Sequence, residues 1–127
     1  MSETDWYRSL KGYKYATKKA MTCKVADFPM IEHEFFMSCN AGTVLLVRPH
    51  YAWDGPSGPT WDRKTNMEPS LYHDVICQAI REGLLDKKWR KYADELFHQH
   101  LLKAGMKPWI AWCYYKAVRG YSRFKGM

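Results

Sequence analysis

A histidine and an aspartate stand side by side in the stretch "NMEPSLYHDVICQAIREG", at His73 and Asp74. The apolar residues of this stretch have helical spacing, and adjacent residues of a helix point about 100° apart. One of the two side chains can therefore serve a neighbouring helix while the other serves the loop in front. A histidine in such a place can take a proton from water near neutral pH, and an aspartate can hold a cation.

Two helices must position this pair, and the sequence predicts them over residues 69–83 and 86–104. With a rise of 1.5 Å per residue, His73 lies about 15 Å from the end of the first helix, and Asp94 lies about 12 Å from the start of the second. If the helices are antiparallel, His73 and Asp94 face each other. In this arrangement a carboxylate orients a histidine base that activates water.

A long segment rich in glycine and proline, "WDGPSGPTWDRKTNMEP", precedes the first of these helices. Its composition excludes regular structure, and irregular loops of this length are often functional. Asp54 and Asp62 in the loop, Asp74 on the helix and the loop carbonyls offer only oxygen ligands, which suits Ca²⁺. We therefore predict a calcium site with Asp54 and Asp74 as ligands. Its backbone ligands are predicted at Gly55, Ser57 and Gly58.

This part of the chain resembles the secreted calcium-dependent phospholipases of the A-two type, most of all their short bacterial and fungal branch. The resemblance covers residues 53–98 and includes a Gly-rich loop, a His-Asp helix and a second helix with an aspartate and an aromatic residue. Those positions are here His73, Asp74, Asp94 and Phe97. The resemblance implies that His73 and Asp94 are catalytic, that Ca²⁺ is the cofactor and that the substrate is a phospholipid ester. The family's tyrosine after the histidine is Cys77 here, and its disulfide pattern and secretion signal do not occur.

Over its whole length the chain is similar to an uncharacterised family of proteins from tailed phages and prophages. Its members share a strand-rich start, a "DG-x-S-x-P" loop, an "HD" helix and an "R-x-x-A-D-x-x-F" helix. The matching positions are Asp54, Gly55, Ser57, Pro59, His73, Asp74, Arg90, Ala93, Asp94 and Phe97. This likeness implies a phage origin and a shared fold, with the protein in the host cytoplasm or the virion, and it implies no particular activity.

Other interpretations of the polar residues stay open. His73 and Asp94 can form a buried hydrogen bond that joins two helices without catalysis, in an accessory or virion-associated protein. A metal-dependent phosphohydrolase of the "HD" class needs a further histidine upstream on a helix, and His50 lies in a strand-like run. His98 and His100 are two residues apart on a helix, so they face different sides and do not suit a shared metal ion.

The first half of the chain has the pattern of strands. The run "TVLLVRPHYAW" is rich in β-branched residues, and "CNAG" before it is a turn signal. We expect a small antiparallel sheet over residues 12–52, with a hairpin turn at residues 40–42. The pattern then becomes helical, with Pro69 in a first turn and a third helix from Pro108. The predicted fold class is α+β: a small antiparallel sheet, a Gly/Pro loop, an antiparallel helical hairpin and a C-terminal helix, in a single domain over residues 1–127.

The composition excludes several classes of protein. The chain has 127 residues, of which 46% are hydrophobic and 16% aromatic, and this is too apolar for a disordered chain. No run approaches the roughly 18 apolar residues of a transmembrane helix, and the polar start of the chain lacks the apolar core of a signal peptide. The four cysteines form no C-x-x-C pair, so we expect free thiols rather than a zinc site or disulfides.

The formal net charge of +7 favours anionic partners such as a phospholipid surface. The C-terminal segment "PWIAWCYYKAVRGYSRF" mixes aromatic and basic residues in the manner of an interfacial helix. We predict a membrane or partner surface at Trp109, Trp112, Lys116 and Arg119. Its partner is either an anionic phospholipid surface or a protein, from the phage virion or from the host. The same aromatic residues could instead pack in the core or stack on single-stranded bases. The sequence has no specific nucleic-acid signature.

Overall fold

In the part of the chain that the structure describes, six short strands come first and three helices follow them. The structure, a computed structural model, describes residues 6–10, 15–53 and 63–124. The chain divides into two compact units, Met1–Gly55 with the strands and Pro56–Met127 with the helices. The fold class is α+β, as predicted. The single domain over residues 1–127 stays a prediction.

The strands of the first unit form two antiparallel sheets. Their bounds are Tyr7–Ser9 (β1), Tyr15–Thr17 (β2), Met21–Lys24 (β3), Phe36–Cys39 (β4), Val44–Val47 (β5) and Ala52–Trp53 (β6). Their orders are β1-β2-β6 in one sheet and β3-β5-β4 in the other. The prediction of one sheet that starts near residue 12 missed β1, whose sequence is short and polar. Aromatic packing supports this strand, because the ring of Trp6 stacks on that of Trp53 with centroids 5.6 Å apart.

A tight turn joins β4 to β5 at residues 40–42, where the sequence predicted a hairpin. Asn40, Ala41 and Gly42 all have positive φ angles, of 55°, 57° and 84°. The carbonyl of Gly42 accepts a hydrogen bond from the N–H of Phe28 at 2.8 Å, which brings the two backbones into contact. A Cβ at position 42 would overlap the carbonyl oxygen of Phe28. Glycine is therefore required there for both its φ angle and its size.

The helices of the second unit are α1 Arg63–Arg81, α2 Trp89–Lys103 and α3 Pro108–Phe124. The prediction that the first helix starts at Pro69 is wrong, because Pro69 lies inside α1. The buried face of this helix already begins at Met67, which is only 4% exposed. Burial of that face outweighs the backbone hydrogen bond that proline cannot donate.

Each helical connection reverses the chain at a glycine. Gly83 has a φ of +80°, and the N–H of Leu84 donates to the carbonyl of Ala79 at 2.8 Å. This is the Schellman motif, which satisfies the last carbonyls of a helix. Gly105, with a φ of +102°, ends α2 in the same way. Among the helices that the structure describes, none is both long and apolar enough to cross a membrane.

We predict that Gly42→Ala lowers the free energy of unfolding by about 1–3 kcal/mol, because it places a Cβ in a strained backbone conformation. The control is Gly120→Ala in α3, where an added Cβ meets nothing within 4 Å. The control should keep the stability or raise it by up to about 1 kcal/mol, since alanine favours helix. Urea unfolding of both variants measures the difference, and equal effects would contradict the account of the turn.

Candidate functional site

The centre of the helical unit holds a contact between His73 on α1 and Asp94 on α2. Nε2 of His73 lies 2.6 Å from Oδ1 of Asp94. The His73 ring also packs against the ring of Phe97, nearly one turn further along α2, with centroids 4.9 Å apart. The predicted placement of His73 opposite Asp94 is therefore confirmed. Their catalytic role stays a prediction.

Two arginines complete a cluster around the same carboxylate. Arg90, one turn before Asp94 on α2, donates from Nε to Oδ1 at 3.0 Å. Arg119 on α3 donates from Nη1 to Oδ2 at 2.9 Å. Asp94 is fully buried, and both of its oxygens accept hydrogen bonds. We call His73, Arg90, Asp94 and Arg119 the Asp94 cluster, and it connects all three helices.

The members of the cluster are charged at neutral pH. Burial alone would raise the pKa of Asp94, but hydrogen bonds from His73 and Arg90 outweigh it and lower the pKa below its ordinary value. Burial alone would lower the pKa of His73, but the hydrogen bond to Asp94 and the contact with Cys77 raise it to about 9. His73 is therefore an imidazolium at pH 7, paired with an ionised Asp94.

Cys77 lies one turn after His73 on α1. Its Sγ is 3.9 Å from Nδ1 and equally 3.9 Å from Nε2 of His73. An N–H that pointed at the sulfur would bring one nitrogen clearly closer than the other, so neither nitrogen is well aligned with the thiol. This geometry does not match a cysteine nucleophile with its histidine base. Among the residues that the structure describes, Nδ1 has no closer hydrogen-bond partner.

The predicted calcium site falls largely outside the described residues. Asp54, Gly55, Ser57 and Gly58 all lie there. Asp74, the other predicted ligand, directly follows His73 on α1 and is half-buried. Within residues 6–10, 15–53 and 63–124, no group of three or more His, Cys, Asp or Glu side chains could hold a metal ion. The calcium site stays a prediction.

The other candidate histidines have separate surroundings. His50 lies between β5 and β6, outside any helix, and has a φ of +71°. It therefore lacks the helical position that the phosphohydrolase hypothesis requires. The ring of His98 stacks on Tyr115 with centroids 5.0 Å apart, whereas the ring of His100 meets Tyr72 at 5.6 Å. The two histidines thus face different neighbours.

The predicted surface on the third helix is exposed at three of its four residues. Trp109 and Trp112 are 62% and 55% exposed. Lys116 is also exposed, and its Nζ lies 5.5 Å from the centre of the Trp112 ring. Arg119 is different, because its guanidinium bonds to Asp94 and so belongs to the Asp94 cluster. We call the exposed residues of this region the α3 surface: Lys103, Lys107, Trp109, Trp112 and Lys116.

Neither arginine of the Asp94 cluster was predicted: Arg90 had no predicted role, and Arg119 was predicted at a membrane or partner surface. Arg90 precedes Asp94 by four residues, and this spacing on one helix face predicts an ion pair. No comparable signal exists for Arg119, which is 25 residues from Asp94.

Comparison of the chain with known protein families, with characterised proteins and with solved structures finds no match in any of the three. Its function is therefore inferred from the contacts of its own residues.

We predict that the free energy of unfolding falls as the pH rises from 6.5 to above 9. The pKa of His73 is raised from 6.5 to about 9 in the folded protein, so its stabilisation is complete below pH 6.5 and is lost as the pH rises through 9. The difference corresponds to about 3 kcal/mol. Urea unfolding at several pH values measures it. His73→Gln should lose this slope, and His98→Gln should keep it. Parallel profiles for wild type and His73→Gln would show that the ion pair does not form.

Proposed function

We propose that the protein is a small, basic, non-catalytic phage accessory protein that associates with an anionic phospholipid surface through the α3 surface. The observation that carries the proposal is the pair of exposed tryptophans, Trp109 and Trp112, which are 62% and 55% exposed. They are three residues apart on one helix and so lie on the same face. The phage origin, and with it a place in the host cytoplasm or the virion, rests only on the resemblance of the sequence motifs to those of tailed-phage proteins.

The chemistry of the α3 surface fits the boundary between lipid headgroups and acyl chains. A tryptophan has a large apolar ring and a polar N–H, and it is favoured at this depth of a bilayer. Three exposed lysines lie near the pair in sequence, Lys103, Lys107 and Lys116, and the Nζ of Lys116 lies 5.5 Å from the centre of the Trp112 ring. Each lysine near an anionic membrane contributes about 1 kcal/mol. We infer that apolar insertion and charge attraction act together at the α3 surface.

A phospholipid surface fits better than single-stranded nucleic acid. Proteins that bind single strands place aromatic side chains in a basic groove that follows the phosphate backbone. Trp109 and Trp112 instead project from the outer face of a helix, which suits insertion into a bilayer interface. Lys116 already lies over the Trp112 ring and occupies part of the face on which a base would stack.

The Asp94 cluster supports a structural role for the His–Asp pair. Oδ1 of Asp94 accepts hydrogen bonds from His73 and Arg90, and Oδ2 accepts one from Arg119. His73 is protonated at neutral pH because its pKa is about 9. A protonated imidazole can donate to Asp94 but cannot take a proton from water.

We predict that the protein sediments with vesicles that contain phosphatidylglycerol and not with vesicles of phosphatidylcholine alone. Replacement of both Trp109 and Trp112 by serine should weaken binding at least tenfold, because burial of each large apolar ring contributes roughly 1.5–3 kcal/mol. The control is Met30→Ser, which removes an apolar side chain that is 66% exposed from the strand-rich unit.

Charge is tested separately from apolar insertion. Replacement of Lys103, Lys107 and Lys116 by alanine should abolish most vesicle binding. Replacement of Lys87, Lys88 and Lys91, which are exposed near the opposite end of α2, removes the same net charge and should reduce binding much less. Equal losses in the two triple variants would contradict a defined surface. Tighter binding to single-stranded DNA than to vesicles would point to nucleic acid instead.

A lipid ester hydrolase is the second candidate, and one observation favours it. His73 contacts Asp94 through Nε2, so Nδ1 is the nitrogen left for a water molecule. A histidine base that a carboxylate orients has this arrangement. Since the pKa of His73 is about 9, the neutral form that could act as a base is scarce at pH 7. In this hypothesis Asp74 and Asp54 would hold Ca²⁺, and the bound ion would supply positive charge to stabilise an oxyanion.

For the hydrolase, we predict that fatty-acid release from anionic phospholipid vesicles increases between pH 7 and pH 9 and stops when EDTA removes Ca²⁺. His73→Ala should reduce the rate by about 10²–10⁴-fold, the usual contribution of a general base. His98→Ala, on the neighbouring helix, is the control and should keep the rate. Folded wild-type protein that binds vesicles but releases no fatty acid would exclude this candidate and leave the accessory role.

A further inference from the structure

The sheet β3-β5-β4 has one buried face and one outer face. Residues two apart on a strand point to the same face, and so do the paired residues of neighbouring strands. Leu45 and Val47 of β5 are fully buried. Val44, Leu46 and Arg48 alternate with them and are half-buried, so these three side chains belong to the outer face.

The strands on either side add two side chains to this outer face. Met37 of β4 pairs with Leu46, and Lys24 of β3 pairs with Val44. Met37 is half-buried and Lys24 is exposed. The outer face therefore has a positive charge at each end and apolar side chains between them. We call it the β5 face: Lys24, Met37, Val44, Leu46 and Arg48.

Arg48, at one end of the β5 face, has no anionic partner among the described residues. Its Nη2 lies 3.2 Å from Sδ of Met37, and a thioether is only a weak acceptor. Its Nε is buried and, within residues 6–10, 15–53 and 63–124, has no hydrogen-bond partner. A cation that is partly withdrawn from water is costly unless an anion or a strong acceptor pairs with it. This guanidinium is therefore suited to an anionic ligand.

The guanidinium of Arg48 can direct two donors at one carboxylate. Nε and Nη2 lie on the same edge of this planar group and donate in parallel, so the two oxygens of a carboxylate can bind both of them. Such binding requires that the sulfur of Met37 moves away from Nη2. A methionine side chain has three rotatable bonds and adapts readily to a new neighbour.

Glu32 lies on the same side of the sheet but does not pair with Arg48. It faces Met37 across the outer edge of β4 in an isolated bridge. Since neighbouring strands are about 4.8 Å apart, its backbone lies about 10 Å from that of β5. Glu32 is exposed, and no ion pair joins it to Arg48 in the part of the chain that the structure describes.

We propose that the β5 face binds an acidic amphipathic helix of a protein partner, with one carboxylate of that helix on Arg48. Helices commonly cover the apolar face of a sheet. Lys24 and Arg48 are separated by four residues along β5 and one strand across it, which is about 14 Å. Acidic residues two to three turns apart on a helix are about 11–16 Å apart and match this separation. Apolar residues between them would pack on Leu46.

A protein helix fits the β5 face better than a bilayer or a second copy of the chain. Its apolar side chains, Met37, Val44 and Leu46, are half-buried in a flat sheet, so they do not project far enough to insert between lipids. A second copy would bring a chain with the same net charge of +7, whereas an acidic helix brings the opposite charge. This surface belongs to the strand-rich unit and is separate from the α3 surface.

The test is fluorescence anisotropy with a labelled helical peptide of about five turns. The peptide has glutamates two turns apart and leucines between them on the same face, and a second peptide has glutamine in place of each glutamate. We expect saturable binding of the acidic peptide and at least tenfold weaker binding of the glutamine peptide. No saturation with the acidic peptide would overturn the proposal.

Variants of the protein locate the binding surface. Arg48→Gln should weaken binding of the acidic peptide at least tenfold. The matched control is Arg8→Gln, which removes one exposed positive charge from the other sheet of the same unit and should keep the affinity within about twofold. Glu32→Gln should keep or raise the affinity, because it removes a charge that repels the peptide. Equal losses in Arg48→Gln and Arg8→Gln would show attraction to the net charge alone and would overturn the site.

A second measurement does not depend on the folding of a variant. In wild-type protein, the methyl NMR signals of Met37 and Leu46 should move when the acidic peptide is added. The methyl signal of Met30, which is 66% exposed in the same unit, should stay in place. Unmoved signals of Met37 and Leu46 at saturating peptide would overturn the site.

Two controls test the other occupants of the β5 face. If Arg48→Gln lost binding to vesicles of phosphatidylglycerol, the face would bind lipid. If sedimentation showed a dimer of wild type that Arg48→Gln dissociates, the face would bind a second copy. Either result would overturn the proposal. The peptide titrations contain no vesicles, so their outcome is independent of vesicle binding through the α3 surface.

Discussion

One buried carboxylate holds the helical unit together. Asp94 is fully buried, and transfer of such a charge from water to a protein interior costs several kcal/mol unless close partners offset it. Its partners come from all three helices: His73 from α1, Arg90 from α2 and Arg119 from α3. The ion pair between Arg119 and Asp94 adds a directional contact to the apolar packing of α3 on α2. In this arrangement Trp109 and Trp112 stay exposed.

The central contact of the site was predictable because a regular helix has a fixed rise per residue, so distances along it follow from the sequence. The pairing of His73 with Asp94 follows from the rise per residue and a short turn between antiparallel helices. The ion pair of Arg90 with Asp94 could have been predicted by the same reasoning, since Arg90 lies four residues before Asp94 on the same helix. Arg119 could not be placed in this way, because its contact depends on how α3 crosses α2. It was grouped with Lys116 because both lie in the aromatic and basic C-terminal segment, but a long arginine side chain can reach away from its own helix face.

The fold was predictable where local chemistry determines it and less so where burial does. The turn at residues 40–42 and the helix end at Gly83 need a residue that tolerates positive φ, and the sequence has glycine at both. The start of α1 was missed because proline is common in the first turn of a helix, so the helix was predicted to begin at Pro69. Packing of Met67 continues the helix before the proline, and packing is a tertiary effect. The strand β1 was missed for the same reason, since the ring of Trp6 beside it stacks on the ring of Trp53, which is distant in sequence.

The pairing of β2 with β6 affects how quickly the protein reaches its final structure. Ala16 pairs with Ala52, and the hydroxyl of Thr17 bonds to the backbone of Arg48 and Tyr51, which are 31 and 34 residues away. To form contacts between such distant residues, the chain must first lose the conformational entropy of the loop between them, so these contacts form slowly. In the helical unit each helix packs on the next one along the chain. During synthesis the strands therefore emerge before the helices, but the sheet of β1, β2 and β6 forms slowly. The helices assemble within the shorter time that neighbouring segments need.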